Sequence, residues 1–166
     1  MTDSMRGPAP FDLYRDTVRA NWIDYNGHLM DGYYLVYISF ANEPVFEYFG
    51  FTADYRAQTG CTTYTVESHL NFLRELKAGA PLRFTTQILD HDSKRIQVFT
   101  RMYHAAENYL AATGELMYLH VNQTTQKVAP MPAPILDRVR AAAAAHAALP
   151  RPPQAGRSIG IPRPRQ

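Results

Sequence analysis

The chain has 166 residues, a formal net charge of +2 and one cysteine, Cys61. This length predicts a single domain with a substantial hydrophobic core. One cysteine excludes an intramolecular disulfide and gives no metal-binding pattern. The small charge argues against a nucleic-acid-binding surface, no apolar run approaches the ~20 residues of a membrane helix, and the first ten residues lack the apolar centre of a secretory signal. We therefore expect a cytoplasmic protein that binds neither nucleic acid nor membranes and holds no metal ion.

The first half of the chain is organised around a polar loop that leads into an apolar helix. We expect a flexible lead-in over residues 1–10, a short extended segment at Tyr14–Arg19, and the loop itself at Asn21–Met30. The next segment, Gly32–Phe49, has apolar and aromatic residues at helical spacing. Because these residues occupy most sides of the helix, other structure is expected to enclose it.

Individual residues are expected to shape this helix and the segment after it. Asp31 stands at the expected N-cap, where its carboxylate would accept hydrogen bonds from N–H groups of the first turn. Pro44 is expected to kink or interrupt the helix near Phe40–Asn42, because it lacks an N–H group. Gly50 is expected to end the helix, and Thr52–Thr59 to form a short helical turn or loop.

The second half of the chain alternates apolar and polar residues, which predicts β-strands. The expected strands are Tyr64–Phe72, Leu82–Leu89, Arg95–His104 and Tyr109–Asn122. Small residues of the last strand predict close approach to another backbone; they are Ala111, Ala112 and Gly114.

An alanine-rich helix is expected at Ile135–Ala148, followed by a Pro- and Arg-rich tail over residues 149–166. The composition of the tail is typical of disorder. An alternative is that Ala155–Pro162 folds back over the sheet or over a partner subunit.

These elements predict an α+β fold in which one domain spans residues 11–148. A long antiparallel sheet wrapped around the central helix would enclose the apolar faces of that helix, and a C-terminal helix and an extended tail follow the sheet in the chain. The remaining sheet edge would favour pairing with a second copy. We therefore expect a homodimer or a homotetramer.

The loop Asp24-x-Asn26-Gly27-His28 and the helix start Tyr33-Tyr34-Leu35 resemble the signature of the hotdog-fold acyl-CoA thioesterases, in the 4-hydroxybenzoyl-CoA thioesterase-like superfamily. Further segments resemble a narrower group, the betainyl-CoA thioesterases associated with carnitine dehydrogenase. These segments are Tyr64–His69, Leu73–Glu75, Ala78–Leu82, Leu89–Arg95 and Leu119–Val121.

The resemblance covers Trp22 to Pro130. It implies the hotdog fold, hydrolysis of an acyl-CoA thioester, betainyl-CoA in carnitine catabolism as the favoured substrate, and no cofactor. It also implies a site at a subunit interface. Two functions on the same fold remain as alternatives: a non-catalytic module that binds acyl-CoA or another small ligand, and a dehydratase.

Thioester hydrolysis needs a group that polarises the carbonyl oxygen and a group that delivers the attack. A helix N-terminus supplies the first through its free N–H groups and its dipole, and a nearby carboxylate supplies the second as general base or nucleophile. We expect Asp24 to be that carboxylate, Asn26 to orient the water or hold the thioester, and His28 to hydrogen-bond the carbonyl or the carboxylate. The expected backbone contributors are Gly27, Asp31 and Gly32.

Several alternatives stay open within this loop. An alignment with the longer loop of the 4-hydroxybenzoyl branch would put Asn26 at the place of the catalytic aspartate, whereas the ungapped pattern selects Asp24. Met30 departs from many relatives, which carry asparagine two residues after the histidine. Asp24 and Asn26 could instead be turn residues. Glu67, on the polar face of the expected strand Tyr64–Phe72, is the second candidate acid, and related enzymes draw a carboxylate of this region from a neighbouring subunit.

Aromatic side chains near the loop are candidates for the acyl pocket, where they would hold a trimethylammonium group by cation–π contact. They are Trp22, Tyr25, Tyr33, Tyr37 and Tyr64. Tyr33 and Tyr37 could instead be packing residues of the helix. The phosphates of CoA require cations, and the candidates are Arg74, Lys94 and Arg95.

Overall fold

One uninterrupted helix, α1 (Asp31–Phe49), forms the centre of the molecule, and eight of its residues are buried. The structure is a computed structural model that describes residues 8–161; residues 1–7 of the expected lead-in and 162–166 of the tail lie outside the described residues. Helix α1 continues through Pro44, so the expected interruption is wrong. Enclosure of the apolar helix by the sheet offsets the hydrogen bond that proline removes.

The N-terminal end of α1 differs from the sequence expectation, and the C-terminal end agrees with it. Met30, not Asp31, is the N-cap, and its side chain makes no capping hydrogen bond. Asp31 is the first helical residue, and its Oδ1 accepts a hydrogen bond from the N–H of Gly32 at 2.8 Å. The C-terminal end is as expected, because Gly50 adopts a left-handed conformation with φ of 105°.

Antiparallel strands form one sheet in the order β1-β3-β4-β5-β2. Their bounds are β1 (Phe11–Thr17), β2 (Cys61–Phe72), β3 (Pro81–His91), β4 (Arg95–His104) and β5 (Tyr109–Asn122), and a short β6 (Lys127–Val128) pairs with β5. The expected bounds of the fourth and fifth strands are confirmed. The first strand begins three residues earlier than expected, because the buried Phe11 already belongs to it. Helix α2 (Ala53–Thr59) precedes β2 and is capped by the side chain of Thr52.

The curved sheet packs against α1 through both apolar and polar contacts. A Cβ atom at Gly114 would lie 2.8 Å from Cδ1 of Ile38, so this small residue of β5 makes room for a side chain of α1. The sequence had instead predicted close approach to another backbone. Asn42 of α1 accepts hydrogen bonds from the hydroxyls of Thr86 and Thr100 and donates one to the hydroxyl of Tyr118. This buried network connects the helix to three neighbouring strands and fixes their relative positions.

The C-terminal helix, α3 (Ala133–His146), packs its buried face into the same core. Nδ1 of His146 accepts a hydrogen bond from the N–H of Ile88 at 2.8 Å, and Nε2 donates to the carbonyl of Pro8 at 2.8 Å. One ring nitrogen must therefore be unprotonated, and burial lowers the pKa of His146 accordingly.

The described part of the tail contacts the sheet at Gly156 and Arg157. The N–H of Gly156 donates to the carboxylate of Glu115 at 2.7 Å, and Arg157 approaches Asn71 at 3.5 Å. These contacts are consistent with the alternative in which the tail folds back, although its last residue, Pro162, lies outside the described residues. Among the helices that the structure describes, none combines the length and apolar character that a membrane span requires.

Candidate active site

A cavity of about 750 Å³ opens at the N-terminal end of α1. Its walls are the polar loop, the first turn of α1 and the segment just after β2. The lining residues are Asp24, Tyr25, His28, Leu29, Met30, Asp31, Tyr34, Phe72, Leu73, Arg74 and Glu75. The structure therefore brings together five of the side chains selected from the sequence: Asp24, Tyr25, His28, Asp31 and Arg74.

Backbone hydrogen bonds hold the loop in a tight reversal. The N–H of Asp24 donates to the carbonyl of His28 at 2.8 Å, and Ile23 and Leu29 form an antiparallel bridge. Gly27 has φ of 80°, a conformation that glycine adopts without strain. Leu29 is buried and its N–H donates to the carbonyl of Leu76 at 2.8 Å, which attaches the loop to the segment after β2.

The carboxylate of Asp24 is built into this reversal. Its Oδ1 accepts hydrogen bonds from the N–H of Asn26 at 2.8 Å and from the N–H of His28 at 3.3 Å. Partial desolvation raises the pKa of Asp24, but the hydrogen bonds from His28 and Asn26 lower it by more, so its pKa lies below the usual aspartate value. Neither of these backbone hydrogen bonds uses Oδ2, and the side chain of Asn26 also lowers the pKa of the carboxylate. Asp24 is thus a turn residue through one oxygen and offers an ionised oxygen to the cavity through the other.

Two further side chains that line the cavity were not among the candidates chosen from the sequence. Tyr34 is buried, and this burial raises the pKa of its phenol to about 12. The pKa of Glu75 is lowered, first by its own backbone N–H and then by attraction to His28. Both residues belong to segments that carry the family resemblance, Tyr33-Tyr34-Leu35 and Leu73–Glu75. Membership of these segments was the signal that could have identified them.

The first N–H groups of α1 are the candidate donors to a thioester oxygen. The N–H of Tyr33 already donates to the carbonyl of Met30 at 3.0 Å. The N–H of Gly32 donates to Oδ1 of Asp31, so a substrate oxygen would have to displace this carboxylate to reach it. Apart from its chain neighbours and the backbone of its own helix, no atom lies within 4 Å of the position that a Cβ at Gly32 would take, so the helix start is open on this side.

Most of the aromatic side chains selected from the sequence do not line this cavity. Trp22 is stacked on Tyr33, with ring centroids 4.4 Å apart, and the guanidinium of Arg19 lies 4.3 Å from the Trp22 ring centroid. Tyr37 is fully buried, and its hydroxyl donates to the carbonyl of Thr17 at 3.0 Å. The placement of Tyr37 in an acyl pocket is therefore wrong for the single chain, because the residue packs in the core.

Other selected residues are also not among those that line the cavity. Asn26 is exposed and contributes its backbone N–H to the loop. Glu67 is exposed in the middle of β2, and Tyr64 lies near the beginning of that strand. Arg95 is in the same row of the sheet as Tyr64, since both pair with Leu119 of β5.

The candidate cations for CoA are consequently divided between the two ends of the sheet. Arg74 lines the cavity and lies 3.8 Å from the ring centroid of Tyr109, with Glu107 at 3.6 Å. Arg95 pairs with Asp92, and Lys94 is exposed in the adjacent turn. One chain therefore does not bring these three cations together.

The described residues do not form a metal centre. Within the part of the chain that the structure describes, no three His, Cys, Asp or Glu side chains are grouped closely enough to hold a metal ion.

Sequence comparisons connect this chain to known enzymes. A model of the thioesterase-like superfamily matches residues 18–139. A betainyl-CoA thioesterase from Pseudomonas aeruginosa is 40% identical over 149 residues, which cover 90% of this chain and 94% of that relative. An L-carnitine dehydrogenase/betainyl-CoA thioesterase from Rhizobium meliloti is 37% identical over 157 residues, which cover 95% of this chain. The match covers 32% of that longer relative, so the chain spans about a third of its length.

Solved structures share the architecture. A hypothetical protein from Staphylococcus aureus, characterised in complex with CoA, is 27% identical and superposes with a TM-score of 0.85 over 92% of this chain and 96% of that chain. A 1,4-dihydroxy-2-naphthoyl-CoA thioesterase from Synechocystis shares the fold at 18% identity, with a TM-score of 0.68 over 86% of this chain and 99% of that chain. The α+β hotdog fold expected from the sequence is confirmed, and the chain belongs to the thioesterase-like superfamily.

Proposed function

We propose that this protein is an acyl-CoA thioesterase that hydrolyses betainyl-CoA to betaine and free CoA. The observation that carries the proposal is the Asp24 carboxylate in a large cavity at the N-terminal end of α1, in a chain 40% identical to a betainyl-CoA thioesterase. An ionised carboxylate near the N-terminus of a helix is an arrangement that supports attack on a thioester.

In the general-base route, Asp24 takes a proton from water while the water oxygen attacks the thioester carbon. The carbonyl oxygen then carries a negative charge, which the N–H groups of Asp31 and Gly32 and the helix dipole stabilise. Collapse of this intermediate breaks the carbon–sulfur bond, and the CoA thiolate takes up a proton.

In the covalent route, Oδ2 of Asp24 attacks the carbonyl carbon and CoA leaves as thiolate, which forms a mixed anhydride that water hydrolyses. The free oxygen of Asp24 suits both routes, and both use only water and side chains of the protein, so the reaction needs no cofactor. Asn26 and His28 flank the carboxylate and retain their proposed roles in holding the water and the thioester.

A dimer formed through β2 would complete the cavity. Strand β2 is at the edge of the sheet and is twelve residues long, and all five residues from Tyr64 to Ser68 are exposed. Apolar side chains are exposed along and just beyond it, including Val66 at 53%, Phe72 at 53% and Leu73 at 46%. Long apolar edges are prone to pair with another strand. We infer that two copies pair here, which would cover Phe72 and Leu73 at the cavity wall and place Glu67 at the interface.

The test is an assay of free-thiol release from betainyl-CoA, acetyl-CoA and benzoyl-CoA, with the mass in solution measured by light scattering. We expect fastest release from betainyl-CoA, by a species of at least two chains. Absence of thiol release from all three substrates would refute the proposed hydrolysis and favour a module that binds acyl-CoA.

A further inference from the structure

A second cavity, of about 440 Å³, lies between the C-terminal half of α1 and the beginning of β2. It is separate from the cavity that holds Asp24, and none of the candidate site residues chosen from the sequence lines it. The residues that make its lining acidic, polar and aromatic are Asn42, Glu43, Phe46, Glu47, Phe51 and Tyr118.

Two carboxylates give this cavity an acidic wall. Glu43 and Glu47 are four residues apart on α1 and therefore lie on the same side of the helix. Among residues 8–161, no side chain forms an ion pair or hydrogen bond with either carboxylate. Like charges at this spacing destabilise a helix. Arg56 also lines the cavity, and one cation leaves an excess of one negative charge.

Aromatic rings form the floor beside these carboxylates. The ring of Phe46 lies 4.4 Å from that of Tyr118 and 5.7 Å from that of Phe51, measured between centroids. Phe46 and Tyr118 are 7% and 8% exposed, and Asn42 donates a hydrogen bond to the Tyr118 hydroxyl, so the ring positions are fixed. A quaternary ammonium group has no N–H to donate, and proteins bind it through aromatic rings and negative charge.

Trp22, which lies next to the loop of the first cavity, is not free to take this role. Both faces of Trp22 are occupied, one by Tyr33 and the other by the guanidinium of Arg19. A second cation would meet the positive charge of Arg19 at this ring.

We propose that the second cavity is the acyl-specificity site and binds a quaternary ammonium group through Glu43, Glu47 and the Phe46–Tyr118 ring pair. This inference rests on the proposed thioesterase function and its β2-paired dimer, and adds the residues that select a cationic acyl group.

The cavity serves the catalytic site of the other copy. Glu43 lies twelve residues after Asp31 on α1, a distance of about 18 Å along the helix axis. A betainyl group has only one methylene between nitrogen and carbonyl, so it cannot bridge that distance within one chain. Antiparallel pairing of two β2 strands about a two-fold axis sets the end of one strand, at Phe72, beside the beginning of the other, at Thr62 and Thr63. The first cavity of one copy then adjoins the second cavity of its partner.

The test compares betainyl-CoA with 3,3-dimethylbutyryl-CoA, which has the same shape with carbon in place of the charged nitrogen. We expect Glu43→Gln/Glu47→Gln to lower kcat/KM for betainyl-CoA by roughly tenfold or more, the effect of removing charge that faces a bound cation. The kcat/KM for the neutral thioester should not fall in parallel, so the ratio of the two kcat/KM values drops, and an unchanged melting temperature shows that the variant is folded. Asp137→Asn is the matched control, since it removes an exposed carboxylate on α3, outside the cavity.

The possible failures are distinguishable. An unchanged ratio of the two kcat/KM values in the double variant would overturn the acyl-specificity site while leaving the thioesterase function intact. Wild-type protein that hydrolyses neither thioester would overturn the proposed function itself. Equal wild-type kcat/KM values for both thioesters would refute selection for a cationic acyl group.

A mixed dimer tests the contribution across the interface. Asp24→Asn and Glu43→Gln/Glu47→Gln chains, each with its own affinity tag, are produced together and the heterodimer is purified through both tags. If the second cavity serves the partner's catalytic carboxylate, one of the two sites is intact and half of the wild-type activity on betainyl-CoA returns. Activity no greater than half that of the Glu43→Gln/Glu47→Gln homodimer would place both cavities in the same chain's site and refute the arrangement.

Discussion

Replacement of Asp24 by asparagine removes a negative charge from the catalytic cavity and keeps the loop intact. The amide oxygen can accept the same hydrogen bonds from the N–H groups of Asn26 and His28 that Oδ1 accepts. The amide can neither take a proton from water nor attack a carbonyl. We therefore expect kcat to fall by roughly 10²–10⁴-fold, the usual contribution of a general base, with a melting temperature close to that of the wild type.

Asp24→Ala is the matched comparison for this substitution. It removes the acceptor for both N–H groups, so the loop itself should be disturbed, and the melting temperature should fall together with the activity. Thiol release measured over a range of betainyl-CoA concentrations separates kcat from KM. A near-normal kcat for Asp24→Asn would refute the assignment of Asp24 and transfer the role to Glu67 or Glu75, which Glu67→Gln and Glu75→Gln would then distinguish.

The pH profile gives a second check on the same residue. Because the pKa of Asp24 lies below its usual value of 3.8, the carboxylate is ionised throughout the neutral range. The reaction needs the ionised form, so activity due to this group is lost only as the pH falls through that low pKa. We expect kcat/KM to show no acid limb from this residue above about pH 5. An acid limb near neutral pH that disappears in Asp24→Asn would contradict the lowered pKa.

Further predictions concern the helix and the core. Gly32→Ala should maintain or raise stability, by up to about 1 kcal/mol in urea unfolding, since a methyl meets no atom within 4 Å; it should lower kcat if the thioester oxygen approaches this N–H. Asn42→Ala should destabilise the fold by about 2–4 kcal/mol in the same measurement, because the hydroxyls of Thr86 and Thr100 lose their acceptor. His146 has a pKa below 6.5, so its neutral form belongs to the folded state and stability is lost as the pH falls below that value. The loss between about pH 7.5 and pH 5.5 should be smaller in His146→Gln, and an equal loss would contradict the assignment.

The elements with clear turn signals beside them were predictable from the sequence. The turns at Asp90–Lys94 and Glu107-Asn108 predicted where Arg95–His104 and Tyr109–Asn122 begin, and the structure has these bounds. Local rules failed where tertiary packing outweighs them. Pro44 remains inside α1 because the surrounding sheet holds the helix, and Asp31 is one residue beyond the N-cap because Met30 has the extended backbone there.

The sequence predicted the residues that the loop contributes to the site, but not the side chains that line the rest of the cavity. Asp24, His28 and Asp31 are neighbours in sequence, so their shared cavity results from one turn and one helix start. Most of the selected aromatic side chains do not line the cavity, because sequence does not show which rings cover one another, and Trp22 is covered on both faces. Glu43, at the cavity near the other end of β2, was overlooked because a carboxylate on a helix resembles any solvated residue until the cavity beside it is known.

The low pKa of Asp24 is compatible with catalysis because of the proposed substrate. A carboxylate of low pKa is a weak base. A quaternary ammonium one methylene from the carbonyl withdraws electrons and makes the carbonyl carbon easier to attack, so a weak base suffices. The wild-type preference for betainyl-CoA over its neutral isostere then has two parts, the intrinsic reactivity of the thioester and the binding of the cation by Glu43 and Glu47. Only the second part is lost in the double variant, so its remaining preference should approach the ratio of the two hydrolysis rates by hydroxide in water. A remaining preference far above that ratio would place a further cation-binding group outside the second cavity.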